Sequence, residues 1–96
     1  MSALTETEIT PIGSLRWRTR AHVSGHVRSM RIQPWGNIPS LECLVVDESG
    51  GVLLVFIGRR KVAGIELGRG LAAEGMVGQS RGYMAILSPE VELLDA

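Results

Sequence analysis

The sequence predicts an all-β fold, a single small domain whose strands close into a barrel. The chain has 96 residues, which suits one domain. Twelve of them are Gly, a residue that is poor in helix interiors and common at turns and bulges. Short apolar runs alternate with turn-forming residues along the chain, so several short strands are expected. Closing so few strands into a ring is the economical way to remove unpaired sheet edges.

The start of the chain is expected to differ from the rest. Residues 1–12 are predicted to form a flexible leader and residues 13–96 the folded domain, because the first residues are polar and Pro11 and Gly13 interrupt them. No signal peptide is expected, since the chain lacks a basic start followed by an apolar stretch. The longest apolar run, Val52 to Ile57, is far too short to cross a membrane, so no membrane contact is predicted.

The first and longest strand is expected to begin at Leu15. From there apolar or small residues alternate with polar ones over more than a dozen positions, which is the pattern of a half-buried strand. The side chains of one face, among them Trp17 and Val23, are therefore expected to pack in the core. The opposite face is expected to present a row of Arg and His side chains to solvent, including His22. Gly25 is expected to mark a bend or bulge, after which the alternation can slip.

The remaining elements are four shorter strands separated by turn residues. A loop rich in Pro and Gly is expected from Gln33 to Ser40, and a hairpin turn over residues 47–51. Gly58 to Gly70 is predicted to be a short, Gly-rich connector with at most one helical turn, and Val91 to Leu94 a short last element. The four strands are expected at residues 41–46, 52–57, 71–77 and 82–87.

Several segments in this order carry a resemblance to a known family. They are Val23 to Val27, Leu41 to Asp47, Gly51 to Phe56, Gly58 to Ile65, Gly68, Glu74 to Gly78 and Ser88 to Leu94. Together they resemble the OB-fold, in particular the wedge domain of the RecG helicase and related stand-alone bacterial OB-fold proteins. The resemblance covers the chain from about Ile12 onward. It implies a five-stranded Greek-key barrel and a nucleic-acid ligand. It departs from the family on strands two and three, where Phe56 is the only aromatic residue.

Basic residues form two blocks although the net charge is zero. Alternate strand residues lie about 6–7 Å apart, close to the phosphate spacing of an extended single strand, so an outward Arg row suits single-stranded DNA or RNA. An equally supported interpretation is a solvated face that keeps an edge strand from aggregating. Whether the two blocks share a face depends on the fold. The predicted binding residues are Arg16, Arg18, Arg20, Arg28, Arg31, Trp35, Arg59, Arg60, Lys61 and Tyr83.

Other parts of the predicted site allow two interpretations. Trp35 is either a stacking platform for bases or a lid over one end of the barrel, and the lid is favoured because an exposed Trp is costly. Tyr83 either stacks or packs, and the cations of residues 59–61 either bind phosphates or form a solvated charge run. The apolar run 52–57 supports an alternative function, a protein-interaction or homodimer surface, because its outward face is apolar and exposed unless something covers it.

No catalytic site, metal site or cofactor is predicted. No nucleophile motif surrounds any Ser, and His22 and His26 on one strand lie roughly 13 Å apart, too far to share a metal. Cys43 is expected to be buried filler, and a lone Cys is consistent with a reducing cytoplasm. Residues 68–73 match a loose dinucleotide-binding fingerprint, but they do not open a long helix inside a βαβ unit, so the match is attributed to chance. The sequence therefore predicts a cytoplasmic binding protein that is not an enzyme.

Overall fold

The computed structural model describes residues 8–94, which form a closed ring of β-strands. The strands pair in the order β1-β2-β3-β5-β4, and β4 pairs back with β1, so the predicted OB-fold is confirmed. β6 pairs with β4 beyond the end of β5. No helix in residues 8–94 is long and apolar enough to span a membrane. The strands are β1 (Arg20–Trp35), β2 (Ile38–Val46), β3 (Gly51–Ile57), β4 (Gly70–Ser80), β5 (Tyr83–Leu87) and β6 (Glu90–Leu93), preceded by a 3₁₀ turn at Ile12–Ser14.

β1 is long because it pairs with a different neighbour in each half. Its first half, up to His26, pairs with β4, and the remainder pairs with β2. At Gly25, where β1 passes from one partner to the other, an added Cβ would lie 2.3 Å from the carbonyl oxygen of Val46. The bulge itself comes at Arg28, where the register with β2 shifts between Val27 and Ser29. The predicted slip in alternation therefore exists, but it follows Gly25 by three residues.

The predicted start of the first strand at Leu15 is wrong, since β1 begins at Arg20. Arg18 has a φ of 66°, a left-handed conformation that interrupts an extended chain. Leu15 is buried beside the 3₁₀ turn and packs in the core without belonging to a strand. Trp17, predicted to be in the core, is instead 51% exposed, and the Arg18 guanidinium carbon lies 4.4 Å from the centroid of its ring.

His22 was predicted to point outward and is instead buried. It lies opposite Glu74 in the ladder between β1 and β4. The chain before the barrel also runs beside it, since the Thr10 N–H donates to the His22 carbonyl over 2.8 Å. Residues 1–7 of the predicted leader lie outside the described residues, while Thr10 and the buried Ile12 contact the barrel. The boundary at residue 12 stays a prediction.

The predicted loop from Gln33 to Ser40 is wrong, because most of it belongs to two strands. β1 and β2 continue to a tight hairpin in which Trp35 lies opposite Ile38. Two residues, Gly36 and Asn37, form the turn, and Gly36 has a φ of 61°, which Gly adopts without steric cost. The turn-forming residues of this segment had correctly indicated that the chain reverses direction here. The pairing of the flanking residues extends the sheet past the barrel and carries Trp35 with it.

Two apolar clusters lie on opposite sides of β3, because its successive side chains alternate between faces. Val52, Leu54 and Phe56 point into the barrel core, where Cys43 is also buried as predicted. Burial raises the pKa of the Cys43 thiol to about 11, so the thiolate is disfavoured. Leu53 and Val55 point outward into a second cluster. Trp35, Leu44, Ile57, Ala85 and Leu87 complete it.

Asp47 joins the turn between β2 and β3 to the 3₁₀ turn, whose Ile12 packs in the core. One carboxylate oxygen accepts from the Ile12 N–H over 2.9 Å. The other accepts from the Ser49 N–H, the Ser49 hydroxyl and the Gly50 N–H. Burial acts to raise the pKa of Asp47, but these four donors outweigh it and hold the pKa below its ordinary value of 3.8.

Replacing Asp47 with Asn is therefore expected to destabilise the fold by about 1–2 kcal/mol at neutral pH, a figure reduced for partial solvent screening. A lowered pKa contributes stability above the unfolded value and loses it as the pH falls through the folded value. The difference between wild type and Asp47→Asn should accordingly shrink from pH 7 toward about pH 3. Urea unfolding across that range measures it, with Glu48→Gln as the neighbouring control. A difference independent of pH would contradict the role of the charge.

Candidate nucleic-acid interface

The outward side chains of β2, β3, β5 and the second half of β1 form one surface, which we call the outer face. Strand register brings side chains from all four strands into rows across it. Arg31 lies opposite Glu42, Glu42 opposite Val55, and Val55 opposite Leu87. The outer apolar cluster is the floor of this face, and Val55 is fully buried in it. Leu53, Val55 and Ala85 form the buried centre of this floor, and the half-buried residues Trp35, Leu44, Ile57 and Leu87 surround it.

A buried carboxylate at the centre of the outer face holds two arginines. Glu42 is only 5% exposed. The Arg31 Nε lies 3.7 Å from its Oε1, and Arg81 Nη2 donates to the same oxygen. Both guanidinium groups keep much of their surface in solvent, with side-chain exposures of 59% and 41%. A guanidinium has five N–H donors, so each Arg retains donors for a further anion.

Sequence reasoning missed Arg81 and Glu42. Arg81 and Gly82 form the turn between β4 and β5, with positive φ at both residues, and this turn directs Arg81 toward the outer face. The two partners are 39 residues apart, so only the paired strands bring them together. The available signal was Glu42 itself, an acid in the middle of an otherwise apolar strand, since a buried charge requires a partner.

Trp35 lies at one end of the outer face. It is half-buried and packs against the outer apolar cluster. It folds down onto the outside of the barrel beside Leu53 and Val55, so the favoured interpretation of a lid over one end of the barrel is wrong. The hairpin that carries Trp35 is tied to the chain that leaves β3, because the Gly58 N–H donates to the Pro39 carbonyl over 3.0 Å. The exposed cations Arg59, Arg60 and Lys61 begin directly after Gly58.

Arg28 and Tyr83 lie at the other end of the outer face. They line a groove of about 430 Å³ that includes Leu44. Arg28 is the extra residue of the β1 bulge, and Tyr83, the first residue of β5, is 55% exposed. Asp47 and Glu48 line the same groove, so the cationic character of the face decreases toward the turn between β2 and β3. The two ends of the face thus each carry one aromatic ring.

The structure separates Arg16, Arg18 and Arg20 from this face. Arg16 and Arg18 precede β1, and the Arg18 N–H donates to the Val77 carbonyl over 2.8 Å on the β4 side of the barrel. The Arg20 Nε lies 3.3 Å from Glu74, and its Nη2 lies 3.5 Å from Glu90. The continuous Arg row expected on one strand is therefore not formed. Only the C-terminal part of the first basic block reaches the outer face, and a binding role for the other three residues stays a prediction.

Residues 8–94 contain no group of three or more His, Cys, Asp and Glu side chains that could hold a metal ion. The loose dinucleotide fingerprint at residues 68–73 leads into β4 at Gly70. A strand at that position lacks the helix N-terminus that holds the pyrophosphate in dinucleotide-binding folds.

Comparison with known proteins identifies a fold and no family. No family model matches the chain, and no curated protein is similar to it. Among solved structures, it is similar to the solution NMR structure of the replication factor A related protein from Methanobacterium thermoautotrophicum. The two chains are 17% identical, the TM-score is 0.67, and the match covers 92% of each chain. This likeness shows the shared fold, and the resemblance to the RecG wedge domain and a bacterial source stay predictions from the sequence.

Proposed function

We propose that the protein binds single-stranded nucleic acid, with little sequence preference, through the outer face. The observation that carries the proposal is the placement of Arg28, Arg31 and Arg81 on one face with Trp35 and Tyr83 at its ends. In OB-folds the surface of strands two and three and the loops β1–β2 and β4–β5 bind oligonucleotides and oligosaccharides. Trp35 and Arg81 adjoin those two loops here. The name of the structural neighbour, a replication factor A related protein, agrees with a nucleic-acid ligand.

Each part of the outer face has a physical role in this proposal. The guanidinium groups of Arg28, Arg31 and Arg81 bind backbone phosphates through charge-assisted hydrogen bonds. Tyr83 and the exposed part of Trp35 stack on bases, which is sequence-tolerant because every base has a π-face. Glu42 holds Arg31 and Arg81 in place, and the apolar floor supports Trp35. The proposal assigns binding and no chemical step, in keeping with the expectation that the protein is not an enzyme.

The alternative, a protein-interaction or homodimer surface, depended on an exposed apolar face of β3. The structure covers that face, because Leu53 is 7% exposed and Val55 is fully buried beneath the chain's own side chains. The alternative loses its main support, and it stays a prediction that measurement of the oligomeric state would address. The geometry of the described residues favours the nucleic-acid ligand.

The variant that tests the proposal has to leave the buried charge balanced. Removing Arg31 and Arg81 alone leaves the Glu42 carboxylate buried without its cations, which destabilises a fold. The triple variant Arg31→Gln, Glu42→Gln, Arg81→Gln removes all three charges and lowers the net charge by only one. The control is Arg16→Gln, Arg18→Gln, which removes two exposed cations away from the outer face.

The affinity of each variant for a labelled mixed-sequence single strand is measured by fluorescence anisotropy, at low and at moderate salt. We expect the triple variant to bind about tenfold more weakly than wild type and the control less than threefold more weakly, because only the former removes direct phosphate contacts. With three phosphate contacts the slope of log affinity against log salt is about −2 in wild type. Absence of binding at low salt, or an equal loss in both variants, would show that the outer face is not the interface.

A further inference from the structure

A cavity of about 410 Å³ lies away from the outer face, beside the part of β1 that changes partner from β4 to β2. It is lined by Ser24, Gly25, His26, Gly68, Arg69, Gly70 and Leu94. No Asp or Glu is among these residues. The adjoining cavity, of about 440 Å³, shares the segment Ser24 to His26 but is also lined by Asp47 and Glu48. Among the described residues, Asp and Glu line only the second cavity, and the cation Arg69 lines the first.

Backbone hydrogen bonds fix the walls of this cavity. The Gly68 N–H donates to the Val27 carbonyl over 2.8 Å, and the Val27 N–H donates to the Arg69 carbonyl over 3.0 Å. On the other side the Leu94 N–H donates to the Gly70 carbonyl over 3.0 Å. The backbone of Arg69 and of both its neighbours is therefore hydrogen-bonded, which fixes the position of the Arg69 Cα.

Glycines keep the space open. Gly68 has a φ of 83°, so the turn into Arg69 requires a residue that adopts this conformation without strain. A Cβ on Gly70 would lie 3.5 Å from Nε2 of His26, in contact with the ring that borders the cavity. Gly25, opposite, has no room for a side chain at all. Three of the seven lining residues thus contribute backbone only.

Arg69 carries a buried donor that nothing in residues 8–94 satisfies. Its Nε is inaccessible to solvent and has no hydrogen-bond partner there. The ion pairs among the described residues involve Arg20, Arg31 and Arg81, and none involves Arg69. A guanidinium stays charged in proteins, and an unsatisfied buried donor is costly. Arg69 as a whole is half-buried, so a ligand in the cavity would meet the accessible part of its side chain and not this enclosed Nε.

We propose that Arg69, with His26 and Ser24, forms a binding site for a phosphate group that is separate from the outer face. The guanidinium supplies charge and directed donors, the imidazole ring an N–H, and the Ser24 hydroxyl a further donor. A phosphate group offers the several acceptor oxygens that these groups need. The cavity is also larger than a phosphate group, and its volume lies in the range of small-molecule sites.

The test is a titration of the full chain with inorganic phosphate at constant ionic strength, followed by amide chemical shifts. We expect saturable shifts at Ser24 and at residues 68–70, with a dissociation constant on the order of 1 mM. Arg69→Gln should weaken binding about tenfold or more. Glu66→Gln, which removes an exposed charge from the same connector, should change the affinity by less than about twofold. Shifts that stay linear, or the same affinity in Arg69→Gln, would overturn the proposal.

A thermal melt of Arg69→Gln guards against a structural explanation. Since the guanidinium has an unsatisfied donor, its removal should leave the melting temperature unchanged or higher. A clear decrease would show that Arg69 stabilises the fold, and it would overturn the proposal.

Two further probes distinguish the source of the phosphate. They are a nucleoside 5′-monophosphate and a single strand with or without a 5′-phosphate. Testing the strands in the triple outer-face variant separates this site from the proposed function, because the variant leaves Arg69 intact.

Discussion

Replacing Gly25 with Ala is expected to destabilise the protein by about 3 kcal/mol or more, at the upper end of what overpacking costs. The new Cβ would lie 2.3 Å from the carbonyl oxygen of Val46 and 2.9 Å from its carbonyl carbon. Both are backbone atoms of β2, so no side-chain rotation relieves the contact. Either β1 or β2 has to move at the point where β1 changes partner, and that movement disturbs both ladders.

Urea unfolding followed by near-ultraviolet circular dichroism measures the effect of this substitution. The matched control is Gly78→Ala, near the end of β4, where an added Cβ meets nothing within 4 Å. The control is expected to be neutral or to stabilise by about 0.5 kcal/mol, because Ala restricts the unfolded chain more than Gly does. Similar unfolding free energies for the two variants would mean that β1 and β2 separate at Gly25 at little cost.

Gly25 also shows how far local sequence signals predict this fold. A Gly inside an alternating strand indicates a bend or bulge, and the structure has β1 change partner at Gly25, with the bulge three residues later. The register shift at Arg28 was not predictable, because it depends on how β2 pairs with β1 and that pairing is set by residues distant in sequence. Alternation likewise predicted a strand from Leu15. It could not reveal the positive φ of Arg18, since no Gly or Asn marks the turn.

The candidate site was predictable in its residue types and not in its grouping. Arg28, Arg31, Trp35 and Tyr83 were expected from charge and aromatic character, and the structure brings them to one face. Arg20 carries the same local signal, yet two carboxylates on other strands hold it elsewhere. Which cations lie together therefore follows from strand order, a long-range property that the spacing of charges along the chain does not contain.

Glu42 gives the second large effect, because its carboxylate depends on Arg31 and Arg81. We expect the double variant Arg31→Gln, Arg81→Gln to destabilise the fold by about 2–3 kcal/mol, because a carboxylate that is 5% exposed then loses its cations. This destabilisation is smaller than for a fully buried pair because both arginines are partly exposed. Adding Glu42→Gln should restore most of that stability. Urea unfolding of the double and triple variants measures this rescue, and a triple variant as unstable as the double would contradict the dependence.

The negative charge of Glu42 also repels a phosphate backbone. The single substitution Glu42→Gln is therefore expected to strengthen binding, whereas loss of the two arginines weakens it. Removing the negative charge leaves Arg31 and Arg81 in place, and both are exposed enough to stay solvated in the free protein. The outer face then gains one net positive charge where the phosphate backbone is proposed to lie. Affinity for a labelled single strand at low salt should rise about threefold to tenfold, and the increase should shrink as salt screens the added charge. An affinity that is unchanged or lower would mean that phosphates do not approach these two arginines, whatever the stability of the variant.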